Sequence, residues 1–287
     1  MKKKVYFCKV IFITLNMSNI LVGFDFSTGS AYAVDLSIDI ANRSGLDLRL
    51  VFVKDKDQDE VPVREEIERR NAGVAHLLKG IKMDYVIREG KVSEELASQA
   101  EADGSELVVV GTNGLSGFKK NFIGRNTYST IADSKCPVLT IREDFNFNKS
   151  LEHIVVPIDS SPDTRQKIPY AARFAKTFGS QLHILGLYTS DNSTIKGIVD
   201  GYVNMVDSYL EKQGVNHVTQ CVSAPKNLTL TTLEYADQIN ADMIVIMTEQ
   251  ESSLSSMILG TYAEQMLTLS TRPILSVRPV QVNGLAK

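Results

Sequence analysis

Leu107-Val-Val-Val110 runs straight into Gly111-Thr-Asn-Gly114, and nine residues further on stands Gly124. An unbroken apolar run of this kind reads as a strand buried on both faces of a parallel sheet. A faded copy recurs later in the chain. Met243-Ile-Val-Ile246 matches the apolar run, and Gly260 and Pro273 repeat the separation of Gly124 and Pro137. The strands that follow also align, Pro137-Val-Leu-Thr-Ile-Arg142 against Pro273-Ile-Leu-Ser-Val-Arg278. So do the leading strands, Ile20-Leu-Val-Gly-Phe-Asp25 against Ile154-Val-Val-Pro-Ile-Asp159. The chain is therefore two copies of one domain, residues 17–142 and 151–281, joined by a polar linker at 143–150.

The 287 residues suit about two domains, each large enough to bury a core of its own. A net charge of −3 leaves no electrostatic footprint for nucleic acid or an acidic membrane. Cys8, Cys136 and Cys221 lie far apart without metal-ligand spacing, a pattern that suits a reducing compartment. His183, inside an apolar run, reads as a packed or hydrogen-bonded residue rather than a ligand. Lys2-Lys3-Lys4 and the apolar residues after it imitate a secretion signal. Lys9 interrupts that stretch, however, and cleavage after Ala33 would delete a strand that the second copy keeps. Residues 1–16 are expected to be an extension outside the repeat, unordered or not native, and the protein is expected in the cytoplasm.

Within the first copy the pattern predicts strands at Ile20–Phe24, Leu46–Val53, Met83–Arg88, 107–110 and 137–142. Helices are expected from Ser27 or Ser30 to about Arg43, from Val63 to Leu78, from Ser93 to Gly104, and over 124–133. Lys54–Glu60 reads as a solvated loop. In the second copy Ser161-Pro162 reads as a helix start, with Pro169 kinking that helix further along. The stripe Ile195, Ile198, Val199, Tyr202, Val203, Val206 is core packing at helical spacing. The total is ten strands and eight helices, alternating, which implies parallel sheets covered on both faces. Ligands of such sheets collect beyond the carboxyl ends of the strands, where Asp25 and Gly111 both fall.

Glycines after a strand let the backbone approach a phosphate, with positive φ exposing successive N–H groups. A helix opening at Gly124 adds its free N–H groups and dipole, and Lys119, Lys120 and Arg125 supply positive charge nearby. The alternative is that Gly111 and Gly114 merely turn the chain. In the second copy Met247 and Gln250 replace those glycines, and Glu249 and Glu251 stand alongside. Only Gly260-Thr261 is kept, so a second site is expected to be weak or vacant.

A strand ending in Asp, then Gly111-x2-Gly114-x9-Gly124, a helix and Cys136-Pro-Val-Leu139 resembles the universal stress protein family, here as a tandem pair. Asp159, Gly260-Thr261 and Pro273-Ile-Leu275 carry the resemblance in the second half. It implies two Rossmann-like α/β domains of the adenine nucleotide alpha hydrolase type, each a five-stranded parallel sheet in the order 3-2-1-4-5. It also implies ATP or AMP, with or without Mg²⁺. Asp25 would lie beside the ribose and adenine, and Val53 would meet the base through its backbone. Gly111, Asn113 and Gly114 would hold phosphates together with Gly124, Arg125, Asn126 and Thr127. Asp159, Gly260 and Thr261 would form the weaker second site. Arg125 departs from the family's usual Ser or Thr, so it either pairs with phosphate or blocks the pocket. The last strands imply pairing of the two domains within the chain or a homodimer.

No P-loop, Ser/His/Asp set or paired acid and base accompanies the glycines, so an enzyme is not expected; slow ATP hydrolysis stays open. The rival reading is a ligand-free dimerisation module. A remoter one, an adenylating enzyme, lacks its glycine-serine loop after the first strand, since Asp25-Phe-Ser-Thr-Gly29 does not match.

Overall fold

The computed structural model describes residues 19–112, 124–142, 151–224, 227–248, 250–253 and 256–280. The N-terminal extension, the linker, Asn113, Gly114, Lys119, Lys120 and Glu249 lie outside them.

The N-terminal lobe holds β1 (Asn19–Gly23), α1 (Thr28–Ser44), β2 (Asp47–Lys54), α2 (Glu60–Val74), β3 (Met83–Glu89), α3 (Val92–Asp103), β4 (Leu107–Thr112), α4 (Arg125–Asp133) and β5 (Val138–Arg142). The C-terminal lobe holds β6 (His153–Ile158), α5 (Ile168–Phe178), β7 (Gln181–Tyr188), α6 (Ser193–Gln213), β8 (His217–Ser223), α7 (Leu228–Gln238) and β9 (Met243–Met247). A short hairpin follows, β10 (Gln250–Ser253) and β11 (Ser256–Leu259), and then α8 (Thr261–Leu269) and β12 (Ile274–Val277).

The strand order β3-β2-β1-β4-β5-β12-β9-β6-β7-β8 gives one ten-stranded sheet, each half following the order 3-2-1-4-5. Every recorded pairing in it is parallel except β5 with β12, which run antiparallel with Leu139 opposite Leu275. Both leucines are fully buried. Successive strand residues face opposite sides, so Ile20 and Val22 enter one core layer and Leu21 the other. Helices α1, α2, α5 and α6 cover the first layer, and α3, α4, α7 and α8 the second. A strand buried on both faces has no polar side to write into its sequence, which is why Leu107–Val110 and Met243–Met247 are continuous apolar runs.

Several local expectations need correction. Twelve strands occur among the described residues rather than ten, because the loop after β9 folds into the β10–β11 hairpin. α2 starts at Glu60, capped by Asp59, so part of the charged loop is helix. α3 starts at Val92, and Ser93 is buried rather than capping it. α5 starts at Ile168, not Ser161; residues 162–167 are turns and Pro169 sits in the first turn of the helix. Proline is tolerated there because a first-turn N–H has no helical partner.

Candidate functional site

The site lies beyond the carboxyl ends of β1, β2 and β4. Asp25 leaves the end of β1 exposed to solvent, and its Oδ1 accepts hydrogen bonds from Ser27 Oγ at 2.5 Å and Ser27 N at 3.1 Å. Ser27 Oγ in turn accepts from Ser30 N at 3.1 Å, so Ser27 rather than Asp25 caps α1. The Asp25 amide donates to Ser30 Oγ. The C-terminal lobe repeats this arrangement: Asp159 Oδ1 accepts from Ser161 Oγ and N, and the Asp159 amide donates to Thr164 Oγ1. The hydroxyls of Ser27 and Ser161, read from sequence only as helix caps, fix each carboxylate by one oxygen. In Asp25 they leave Oδ2 with no partner among the described residues, as an acceptor for hydroxyl groups.

Val53 lies past the last rung between β1 and β2, which pairs Gly23 with Val51. Val51 O accepts from Phe24 N, on the β1 side. Residues two apart in a strand point their backbone groups the same way, so the N–H and C=O of Val53 project beyond the end of β1, above Asp25.

Gly111 behaves otherwise than expected. It is an ordinary strand residue without positive φ, and α1 lies directly against it. A Cβ there would sit 2.5 Å from Ser30 N and closer still to the Gly29 carbonyl, and one on Gly29 would meet Thr112 O at 2.9 Å. Two glycines thus let the start of α1 touch the end of β4. Packing alone accounts for Gly111.

Gly124 is the N-cap of α4, extended at φ −61° and ψ 143°. Among the described residues no side chain caps this helix, and its first turn carries no acid. The early N–H groups of a helix have no intrahelical acceptor, and here no recorded side chain supplies one. Arg125 and Asn126 are exposed. Thr127 is buried and donates from Oγ1 to Gly111 O at 3.4 Å, tying helix to strand. Asp25, Val53, Gly111, Gly124, Arg125, Asn126 and Thr127 therefore share one edge of one lobe.

The second lobe differs at the corresponding positions. Met247, buried, pairs with Val277 as Gly111 pairs with Ile141. The α5 start is displaced from the strand end, as described. Gly260 caps α8 but is buried, and Glu264 enters the first turn. Thr261 is exposed. The hairpin also leans across to the other lobe, where Leu259 N donates to Tyr128 OH on α4 at 3.0 Å.

The family model for the universal stress protein family matches residues 17–142 and 150–278. The chain belongs to the universal stress protein family. A universal stress protein of Bacillus subtilis, YxiE, is 26% identical over 148 residues, covering 44% of this chain and 99% of its own length. The solved structure of a universal stress protein from Archaeoglobus fulgidus is similar over 91% of this chain and 98% of its own, at 22% identity and a TM-score of 0.74. Another universal stress protein of that organism, solved in complex with dAMP, covers 44% of this chain with 97% of its own, at 17% identity and a TM-score of 0.37. Membership accounts for the repeat and the fold. Among the described residues no group of His, Cys, Asp and Glu is placed to hold a metal ion, and no helix is long and apolar enough to cross a membrane.

Proposed function

We propose that the N-terminal lobe binds an adenine nucleotide, ATP or AMP with or without Mg²⁺, as a structural or signalling ligand in a stress response, without turning it over. The observation that carries this reading is the acid-free start of α4, without a side-chain cap among the described residues and with Arg125 exposed, lying on the same strand edge as Asp25 and Val53. A helix N-terminus and a guanidinium both favour phosphate. The Asp25 carboxylate offers a free oxygen to ribose hydroxyls, and the Val53 backbone offers a donor and an acceptor to the edge of a base. The C-terminal lobe, with Glu264 in the helix start and Met247 at the strand end, is the weaker site.

Calorimetric titration of the full chain with ATP and AMP tests this. ATP at about 100-fold its Kd should stabilise the protein by about 2.7 kcal/mol. Asn126→Asp, which puts a carboxylate at the start of α4, should abolish the ATP-induced rise in Tm, while Thr261→Glu in the other lobe should change it little. Equal losses from both would contradict the asymmetry. One observation favours the rival, ligand-free module: Gly111 is explained by its contact with Gly29. Native mass spectrometry without co-purifying nucleotide, and no thermal response to ATP, would support that rival.

A further inference from the structure

We propose that Phe26, backed by Phe52, is the face on which the N-terminal lobe stacks the planar base of its ligand; this rests on the nucleotide reading above and adds to it a residue that selects for the base. Phe26 directly follows Asp25 and holds φ at +63°, one of three non-glycine residues with positive φ among those described. Bulky L-residues rarely adopt that backbone, and such outliers gather where a side chain has to be presented. The ring is not buried by way of compensation, since Phe26 is 39% exposed. It is held from beneath instead. Its centroid lies 5.0 Å from that of Phe24, edge to face, and 5.1 Å from that of Phe52, tilted by 42°.

Position favours a base over any other planar group. Phe52 precedes Val53, whose backbone donor and acceptor project past the end of β1. From β2 across β1 to β4 is two strand spacings, roughly 10 Å, with the open start of α4 beyond. A base at Phe26, a ribose at Asp25 and phosphates at α4 would lie in series along that edge. Stacking tolerates any base because every base has a π-face, so the aromatic pair supplies affinity and leaves the choice among bases to the Val53 backbone.

The other lobe lacks this device: Ser160, which corresponds to Phe26, is not among the described residues with positive φ. In register, Ile158 stands for Phe24, Ser160 for Phe26 and Gly186 for Phe52. A Cβ on Gly186 would lie 2.5 Å from Cys221 Sγ and 3.0 Å from Val203, so core side chains close the space that an aromatic ring would need.

The chain contains no tryptophan, so Phe26→Trp places a single fluorescent reporter at the proposed stacking face. Full-length wild type, Phe26→Ala, Phe26→Asn and Phe26→Trp would each be titrated with ATP and with inorganic tripolyphosphate. Asparagine accepts left-handed backbone readily, which guards the test against misfolding. Both truncating variants should lose ATP affinity on the order of tenfold and keep the wild-type affinity for tripolyphosphate. The tryptophan variant should retain ATP binding, its emission quenched by ATP and unchanged by tripolyphosphate. Wild-type ATP affinity in Phe26→Ala and Phe26→Asn, with flat emission from Phe26→Trp, would overturn the stacking face and leave nucleotide binding standing. Failure of wild type to bind ATP would remove both.

Discussion

Gly111 and Gly124 are both glycines of one motif, and the structure gives them different work. Gly111 is the point where the backbones of β4 and α1 meet, so Gly111→Ala overpacks an unyielding contact with the Gly29 carbonyl. We expect it to destabilise the protein by about 1–3 kcal/mol, with or without nucleotide, in urea unfolding. Among the described residues Gly124 has only Thr127 Oγ1 near its would-be Cβ, at 4.0 Å, and its φ suits any residue. Gly124→Ala should cost under about 1 kcal/mol. His183 offers a second test at this scale. It is buried, with Nδ1 3.1 Å from Tyr235 OH and Nε2 3.1 Å from His153 Nδ1. Burial first, and the neighbouring His153 second, hold its pKa below the ordinary value of 6.5. The folded state therefore binds its proton less readily than the unfolded chain, and the unfolded state gains protons first on acidification. Stability should be full above pH 6.5 and fall below it. His183→Gln should flatten that part of a Tm-against-pH curve; an unchanged slope would place the acid sensitivity elsewhere.

At the scale of elements, the two lobes start their first helices differently for a reason the sequence shows only in retrospect. α1 begins three residues after Asp25, while α5 begins nine after Asp159. Where Gly29 and Gly111 touch in one lobe, Met247 stands at the strand end in the other, so a helix start cannot come as close. The Asp-x-Ser turn survives in both lobes, but only Ser27 also caps a helix. Ser27→Ala should accordingly cost about 1 kcal/mol and loosen Asp25. Ser161→Ala, which removes no cap, should cost less; urea midpoints of the two variants compare them directly. Similarly, Ser93 followed by Glu94 and Glu95 looks like a helix start, yet the helix has already begun at Val92. Capping composition places such boundaries only to within a residue or two.

In the whole molecule the two sheets meet at β5 and β12, and further contacts brace the joint. Arg173 on α5 pairs with Glu106, whose carboxyl is held above the usual carboxylate range by burial, against the pull of Arg173. Arg142 donates to Thr268 O, and Arg43 lies over the Phe178 ring, 4.8 Å from its centroid. Leu275→Asp would set a charge against Leu139 in a fully buried ladder, which has no partner to satisfy it. Calorimetry should then show the melting split into two lobe transitions at lowered Tm; a single unshifted transition would show that the joint adds nothing. The duplication, the alternation of strand and helix, and the edge carrying Asp25 and Gly111 were all legible in the chain, because buried parallel strands must be continuously apolar and a repeat compares itself. Other features were not legible: the Ser27 and Ser30 hydroxyls that fix Asp25, the meeting of Gly29 with Gly111, and the aromatic trio at Phe26. The last two bring together residues from separate segments, and spacing along one segment carries no information about its distance to another; the first depends on the turn geometry that residues 25–30 adopt. The sequence by itself determined a duplicated chain of alternating strands and helices, since periodicity and turn residues act locally, and its glycine motif carried the resemblance to the universal stress protein family. Only the tertiary structure decided which glycine serves packing, which helix start stays open and which ring faces solvent, since those depend on how closely distant backbones approach.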